Sequence, residues 1–340
     1  MKKLRCIISM ILIMVTVVTL SACKKEDTSV TKEIYALDTI ITITANNCSE
    51  ETLSLCQGEI HWMEIVFSKT SEGSDIDRIN TNAGNFVEVE DSVFEVLKTA
   101  CEVSVNTNGA FDVTVAPAMD LWGFSTDNYR VPSEEVLHNI LPYIDYKNIK
   151  FDETTKSICI DSAQSIDAGG IAKGYIADYA AEYLMSEGVT SAILNFGGNI
   201  RLIGSKADSS LWNIGIKAPF EDGYFATVKL SDKTLSTAGG YERYFEENGK
   251  IYHHIIDPST ASPAKSDIIS STVIGHGGAL CDALSTAVFV SGTKSLKDIA
   301  DKYPSLDFIA LTENSVYITE NISKTFSLSE GFEDIEIIII

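Results

Sequence analysis

The chain has 340 residues, of which 45% are hydrophobic and 22% are charged, and its formal net charge at pH 7 is −22. This length can bury a substantial core in one large domain or two ordinary ones. The acidic balance argues against nucleic-acid binding, because like charges repel, and any phosphate-bearing ligand would need a local cation or metal ion.

The N-terminal residues have the features of a processing signal. Three positive charges in MKKLR precede an apolar run at residues 6–20 and the sequence LSAC, which ends at Cys23. This order predicts a secretory signal over residues 1–22, and LSAC resembles a bacterial lipobox, in which the cysteine is lipidated. We therefore expect a lipid anchor on Cys23 at the extracytoplasmic side of the cell membrane. An uncleaved transmembrane anchor is the alternative, although the run is short for a spanning helix.

Residues 23–33 are polar and predict a tether, so the folded domain is expected over residues 34–340. Hydrophobic periodicity predicts helices at residues 50–67, 92–105, 172–187, 278–290 and 295–303. Strands are predicted at residues 40–44 and in SAILNF, IRLIG, WNIGIKAP, ATVKLSD, KTLSTAG, IYHHIID and IISSTVIG. DFIALTE and SVYITE predict a hairpin, and the terminal DIEIIII predicts an edge strand. The mixture indicates a single α+β (mixed α/β) domain.

The segment SIDAGGIAKGYIADYA, residues 165–180, places Lys173 where a helix begins, six residues after Asp167. Glycines allow close approach of a backbone to a ligand, and a helix N-terminus offers N–H groups to an anion. The pattern therefore indicates a phosphate site. GxxxxGK[ST] is absent, so the site is not a Walker P-loop.

The segment CDALSTA, residues 281–287, offers oxygen ligands on a helix. Asp282 and Thr286 are four residues apart and share one helical face, with Ser285 beside them. Carboxylate and hydroxyl oxygens suit a hard cation such as Mg²⁺. The alternative is that Asp282 is a helix cap or a solvated charge. The chain contains no CxxC pair, which argues against a structural zinc site.

Two further segments carry candidate groups. In IYHHIIDPSTASP, residues 251–263, His253 and His254 lie on opposite faces if the segment is a strand, and a histidine near Asp257 is a plausible general base. The alternative is a structural histidine. In NGAFDVTVAPAMDLWGF, residues 108–124, the aromatic side chains either stack on a planar ring or belong to the core.

Seven ordered motifs together resemble the ApbE family of FAD:protein FMN transferases. They are DIDRIN, GAFDVTVAPAMDLWGF, SIDAGGIAKGYIAD, NFGGNIRLIG, STAGGYERYF, HHIIDPSTASP and CDALSTAVFVSG, and the resemblance covers roughly residues 34–320. The resemblance implies one α+β domain related to the T-fold. It also implies a Mg²⁺-dependent enzyme that moves FMN from FAD to a threonine of an acceptor flavoprotein and releases AMP. The expected acceptor is a membrane redox-complex subunit or another extracytoplasmic flavoprotein.

The resemblance also implies roles for individual positions. The implied metal ligands are Asp282, Thr286 and the backbone carbonyl of Gly170, and Ser285 is a further candidate ligand because it lies beside them on the helix. The implied FAD contacts are Leu37, Thr70, Ala110, Phe111, Asp112, Asp167, Lys173 and Ile256. His254, or Asp257 beside it, is expected to accept the threonine proton.

Three positions depart from the family pattern. Leu37-Asp38-Thr39 replaces a common Met-Gly-Thr, Thr70 replaces a tyrosine that flanks the flavin, and Ala261 replaces the glycine of DPxTG. A Mg²⁺-dependent FAD pyrophosphatase and a non-catalytic FAD-binding lipoprotein remain alternatives, because either would use the same binding site.

Overall fold

The computed structural model describes residues 29–340. The predicted signal at residues 1–22, the predicted lipidation site at Cys23 and the first part of the predicted tether lie outside these residues. Over residues 29–340 the α-helices are α1 (Glu50–Phe67), α2 (Asp75–Thr81), α3 (Asp91–Asn106), α4 (Ala116–Trp122), α5 (Glu134–Ile140), α6 (Ala172–Ser186), α7 (Gly278–Ser291) and α8 (Thr293–Lys302). None of these helices is long and apolar enough to span a bilayer.

Nine strands form the main sheet in the described region, in the order β1-β2-β6-β7-β10-β15-β16-β17-β19. Their bounds are β1 (Ser29–Ala36), β2 (Thr39–Asn46), β6 (Ala192–Phe196), β7 (Asn199–Ile203), β10 (Thr234–Gly239), β15 (Ser270–Gly275), β16 (Asp307–Leu311), β17 (Ser315–Ile318) and β19 (Glu336–Ile339). All neighbouring pairs are antiparallel except β17 and β19, which are parallel.

The smaller sheets combine short strands. Their bounds are β3 (Val87–Glu88), β4 (Lys150–Asp152), β5 (Ser157–Cys159), β8 (Trp212–Lys217), β9 (Tyr224–Leu230), β11 (Tyr244–Glu247), β12 (Lys250–His253), β13 (Ile256–Asp257), β14 (Ser262–Pro263) and β18 (Phe326–Leu328). They pair as β3-β5-β4, β18-β9-β8, β11-β12 and β13-β14.

The main sheet separates two hydrophobic cores. On one face, alternate residues such as Ile41 and Ile43 pack with α1, α3, α6 and α7 in the larger core. On the other face, Leu202 and Leu235 pack against the β18-β9-β8 sheet. The period of two along each strand sends successive side chains to opposite faces, which is why one sheet serves both cores. A third, aromatic core contains Trp122 and lies beneath α4, α5 and the short hairpins.

The long helices and the edge strand agree with the sequence predictions, and the α+β class is confirmed. The domain begins earlier than predicted, because Ser29–Glu33, assigned to the tether, belong to β1 and pair with β2. The prediction of one strand over IYHHIID is wrong, because β12 ends at His253 and β13 starts at Ile256. The periodicity of the sequence did not reveal α4 and α5, which have seven residues each.

Candidate functional site

Two tight turns lie side by side at one end of the main sheet. Leu37 and Asp38 connect β1 to β2 with φ angles of +55° and +57°. Gly197 and Gly198 connect β6 to β7, also at positive φ, and a Cβ added at Gly197 would come within 2.2 Å of Thr39 Oγ1. Positive φ suits the glycines but strains a leucine. The Leu37 N–H donates to Glu64 Oε1 at 2.6 Å, which anchors this strained turn to α1.

The N-terminal turns of α6 and α7 meet beside these strands. A Cβ added at Gly174 would come within 2.1 Å of the Gly278 carbonyl oxygen, so only glycine allows this backbone contact. The Gly174 N–H donates to Asp282 Oδ2 at 2.9 Å, and the Gly278 N–H donates to Asp178 Oδ2. The helices therefore hold the Lys173 segment directly against the predicted metal ligand.

Asp282 is a buried carboxylate with a 6% exposed side chain. Burial raises its pKa, while Lys173, Asn199 and the Gly174 N–H oppose that rise and favour the charged form. The Asn199 amide lies close to Asp282, although its Nδ2 makes no well-formed hydrogen bond, and the buried Ser236 Oγ also lacks a partner. Ser236 shares the helix-facing side of β10 with Thr234, whose hydroxyl bonds to Asp178.

This donor set fits a hard cation. The Asp282 carboxylate is the kind of oxygen ligand that a hard cation prefers, and the buried Ser236 Oγ on β10 is a second oxygen without a hydrogen-bond partner, whereas the unpartnered Asn199 Nδ2 is a donor and cannot bind a cation. Thr286 is half-buried one turn further along α7. The Ser285 hydroxyl donates to the Asp282 carbonyl at 2.8 Å, so it is engaged within the helix. Among residues 29–340, no cluster of three or more His, Cys, Asp or Glu side chains is arranged for a metal, so a cation here would rely on one carboxylate.

Lys173 brings positive charge to the same place. Its Nζ donates to the Gly169 carbonyl at 3.4 Å, and its charge acts on the pKa of both Asp282 and His254. Asp167 holds the preceding turn, because its Oδ1 accepts the Gly169 N–H at 2.8 Å. The other oxygen of Asp167 lies 3.2 Å from Lys69 Nζ. Lys69 was not singled out in the sequence, although it lies in the FSKT segment.

His254 has a fixed tautomer. Its backbone N–H and its ring Nδ1 lie 3.0 and 3.1 Å from the Arg243 carbonyl oxygen. A carbonyl oxygen only accepts hydrogen bonds, so Nδ1 carries the proton and Nε2 keeps a free lone pair. Burial, with a smaller contribution from Lys173, lowers the pKa of His254 to about 4. The ring is therefore neutral at physiological pH and able to accept a proton at Nε2.

The neighbouring candidates are engaged elsewhere. His253 Nε2 contacts the Ala264 carbonyl at 3.1 Å, and its ring packs edge-on against Phe289. Asp257 Oδ1 accepts both the backbone N–H and the hydroxyl of Ser259, at 2.9 and 2.7 Å. These contacts show that His253 stabilises the packing of its hairpin and that Asp257 stabilises the DPST turn.

The aromatic segment divides between site and core. Phe111 is 5% exposed and packs on the turn of Gly170, since a Cβ added there would come within 3.1 Å of its ring. Asp112 is the cap of the following turn, with Oδ1 accepting from Thr114 and Oδ2 from the Tyr146 N–H at 2.9 Å. Trp122 and Phe124 belong to the aromatic core, as the alternative interpretation held.

The remaining predicted contacts differ in exposure. Thr70 is exposed, Leu37 and Ala110 are half-buried, and Ile256 is buried in the aromatic core. Lys173 thus lies close enough to Asp282 and to His254 to influence the pKa of each, whereas the Thr70 N–H donates to the Ser68 hydroxyl. Asn199, which periodicity could not single out, lies in the quoted NFGGNI motif.

A buried carboxylate, a lysine and a neutral histidine in an α+β fold are the types of side chain found in enzyme active sites, so these residues form the candidate active site. The ApbE family model matches residues 37–310, so the chain belongs to the ApbE family.

Several relatives of the chain are named flavin transferases. A protein of Klebsiella pneumoniae named FAD:protein FMN transferase is 31% identical, covering 76% of this chain and 82% of its own length. One of Haemophilus influenzae with the same name is 29% identical, covering 98% and 100%. The crystal structure of the ApbE protein from Thermotoga maritima is 32% identical with a TM-score of 0.78, covering 91% and 99%. These matches confirm the predicted enzyme class, a flavin transferase, and the single-domain α+β fold.

Proposed function

We propose that the enzyme transfers FMN from FAD to a threonine hydroxyl of an acceptor flavoprotein and releases AMP, in a reaction that requires Mg²⁺. The observation that carries this proposal is the fixed tautomer of His254, which presents a free Nε2 lone pair near Lys173, the same lysine whose charge acts on Asp282. A neutral base near a cationic group suits hydroxyl attack on a pyrophosphate, because the base accepts the hydroxyl proton and the cation stabilises charge on the phosphate oxygens.

The cation site would consist of oxygen ligands. Asp282 and Thr286 would supply side-chain oxygens, and Gly170 would supply its backbone carbonyl. Held by these residues, Mg²⁺ would supply positive charge against the pyrophosphate. The Gly174 N–H keeps the Asp282 carboxylate in place before the cation arrives, because it already occupies Oδ2.

The transfer step balances without a further reactant. His254 Nε2 accepts the proton of the threonine hydroxyl, and the threonine oxygen forms a bond to the phosphorus of the FMN half. The bond between that phosphorus and the bridging oxygen breaks, and AMP leaves with the bridging oxygen. Lys173 stabilises the negative charge that grows on the phosphate oxygens during this step.

Substrate binding would improve the base. In the ligand-free protein, burial and Lys173 lower the pKa of His254 to about 4. The negative charges of the FAD pyrophosphate would offset Lys173 and favour the protonated ring, so the pKa of His254 would rise when FAD binds. A base whose pKa moves toward the working pH transfers protons more effectively.

The test is incubation of the protein with FAD, Mg²⁺ and a candidate extracytoplasmic flavoprotein domain. Mass spectrometry should find FMN on one threonine of the acceptor, and chromatography should find an equal amount of AMP. Free FMN and AMP without a labelled acceptor would instead identify a pyrophosphatase. Intact FAD after long incubation would identify a binding protein without this activity.

For location, we propose that lipid on Cys23 holds the enzyme at the extracytoplasmic side of the cell membrane. The LSAC sequence after an apolar run supports this proposal. The acceptor would then be a flavoprotein, or a redox-complex subunit, whose threonine faces the same compartment.

A further inference from the structure

The two helices that meet at the candidate site share one local pattern. In α6, Asp178 follows Gly174 by four residues, and in α7, Asp282 follows Gly278 by four residues. Each aspartate accepts the backbone N–H of the other helix's glycine. Each helix therefore caps the other, in an arrangement with approximate twofold character.

The contact between the helices leaves little freedom. A Cβ added at Gly278 would come within 2.0 Å of the Gly174 carbonyl oxygen, and one at Gly174 within 2.8 Å of the Asp282 Cβ. Asp282 follows Gly278 by one helical turn in α7, so a movement of the first turn also moves the Asp282 carboxylate. The backbone contact with Gly174 limits that movement. The hydrogen bond from Gly278 to Asp178 is the polar contact that fixes that turn.

The two aspartates have different electrostatic surroundings. Asp178 Oδ1 lies 3.1 Å from Arg201 Nε and accepts the Thr234 hydroxyl at 2.8 Å. Arg201 also contacts Asp232, which lies away from the helices on the exposed side. In the described region, residues 29–340, Asp282 forms no ion pair, since no Lys, Arg or His nitrogen lies within 4.0 Å of its oxygens. Asp178 is therefore paired with an arginine, whereas no ion pair of the described residues occupies the Asp282 carboxylate.

We propose that Asp178, held by Arg201, is a positioning residue that fixes the first turn of α7 so that Asp282 presents a free oxygen to the divalent cation. This inference rests on the proposed function. In this role Asp178 would not bind the cation or the substrate itself. It would act indirectly, by accepting the hydrogen bond of the Gly278 N–H. Partners of this kind commonly change metal affinity by about 10- to 100-fold when they are removed.

The experiment compares Asp178→Ala with Asp178→Asn and with Asp232→Ala as the matched control. The alanine variant removes the acceptor for Gly278, the asparagine variant keeps an acceptor oxygen, and the control removes the other partner of Arg201. Half-saturation by Mg²⁺ in the transfer assay should rise about 10- to 100-fold in Asp178→Ala, less in Asp178→Asn and less than about twofold in Asp232→Ala. The rate at saturating Mg²⁺ should change much less than the half-saturation value.

Two readouts do not depend on turnover. Mn²⁺ titration followed by electron paramagnetic resonance, with FAD and without acceptor, should show the same order of affinities. Hydrogen exchange of the metal-free protein should rise in the first turn of α7 in Asp178→Ala and stay unchanged in Asp232→Ala. If the alanine variant does not fold, the asparagine variant alone decides, through its shift in Mn²⁺ affinity.

The outcomes distinguish the Mg²⁺ requirement of the enzyme from the positioning role of Asp178. A wild-type protein that transfers FMN without a divalent cation would overturn the Mg²⁺ part of the proposed function and this inference with it. A wild-type protein that needs Mg²⁺, together with unchanged Mn²⁺ affinity in both Asp178 variants, would overturn the positioning role alone. Equal effects of Asp232→Ala and Asp178→Ala would also overturn it, because they would assign the effect to Arg201 in general.

Discussion

Replacing Gly174 with alanine tests whether backbone contact between α6 and α7 builds the site. The new Cβ would lie 2.1 Å from the Gly278 carbonyl oxygen, where ordinary contacts begin at 3.4 Å, so the helices must separate by roughly 1 Å. Alanine is favoured over glycine in a helix by about 1 kcal/mol, but overpacking costs about 1–3 kcal/mol. Since the clash involves backbone, we expect a net loss of about 1–2 kcal/mol in the free energy of unfolding.

The same separation displaces Asp282 relative to Lys173. A displacement of about 1 Å at a reacting centre commonly costs about 100-fold in rate, so FMN transfer should fall by that order. The matched control is Gly58→Ala in α1, because a Cβ added there meets nothing within 4 Å. That variant should gain up to about 1 kcal/mol and keep full activity.

Urea unfolding and a covalent-flavin assay, run on both variants and wild type, measure these effects. The reasoning about the helix contact would be refuted if Gly174→Ala matched Gly58→Ala in stability. A destabilised Gly174→Ala with wild-type transfer would refute only the link between the contact and the chemistry.

Removing the carboxylate in Asp282→Ala should lower FMN transfer at least about 100-fold with the fold intact by circular dichroism, and full activity with excess chelator would contradict the metal role. In His254→Ala, FMN transfer should slow by roughly 10²- to 10⁴-fold, while FAD binding, measured by fluorescence quenching, should change little. The control variant His253→Ala should slow transfer less. A larger effect of His253→Ala would show that His253, and not His254, accepts the proton. The pKa of His254 is lowered to about 4, below its unfolded value of 6.5. The unfolded state therefore binds the proton first as the pH falls, and from pH 6.5 to 4 the ligand-free protein should lose about 3 kcal/mol that His254→Ala does not lose, measured by urea unfolding. Cys23→Ser should release an active protein from membranes on fractionation, and a membrane-bound variant would exclude the lipid anchor.

The long helices were predictable from sequence because their apolar residues recur on one face. For α1 the predicted and observed limits coincide at residues 50–67, and the Ser49 hydroxyl caps its first turn. The order of the sheet was not predictable, since β2 pairs with β6 through contacts that no local pattern encodes. The start of β1 was missed because polar residues such as Thr31 and Glu33 are typical of both a tether and an exposed strand face.

The candidate site was predicted in part. Motif order singled out Lys173, Asp282 and His254, which the fold brings together. The sequence did not reveal that the Asp112 carboxylate would be engaged by backbone and hydroxyl donors. The sequence does not distinguish an aspartate that binds a ligand from one that caps a turn. The positions of the surrounding N–H and O–H donors in the folded chain decide between these two roles.

The pairing of β2 with β6 has a consequence for how the chain reaches its native state. Asn46 and Ser191, at the far end of that pairing, are 145 residues apart in sequence and bonded to one another. The hydrogen-bonding edge of β2 stays unpaired until the chain through β6 is available, and closing so long a loop is slow. We therefore expect this protein to fold through a populated intermediate with an exposed β2 edge, which makes the early hairpin the segment most in need of chaperone protection.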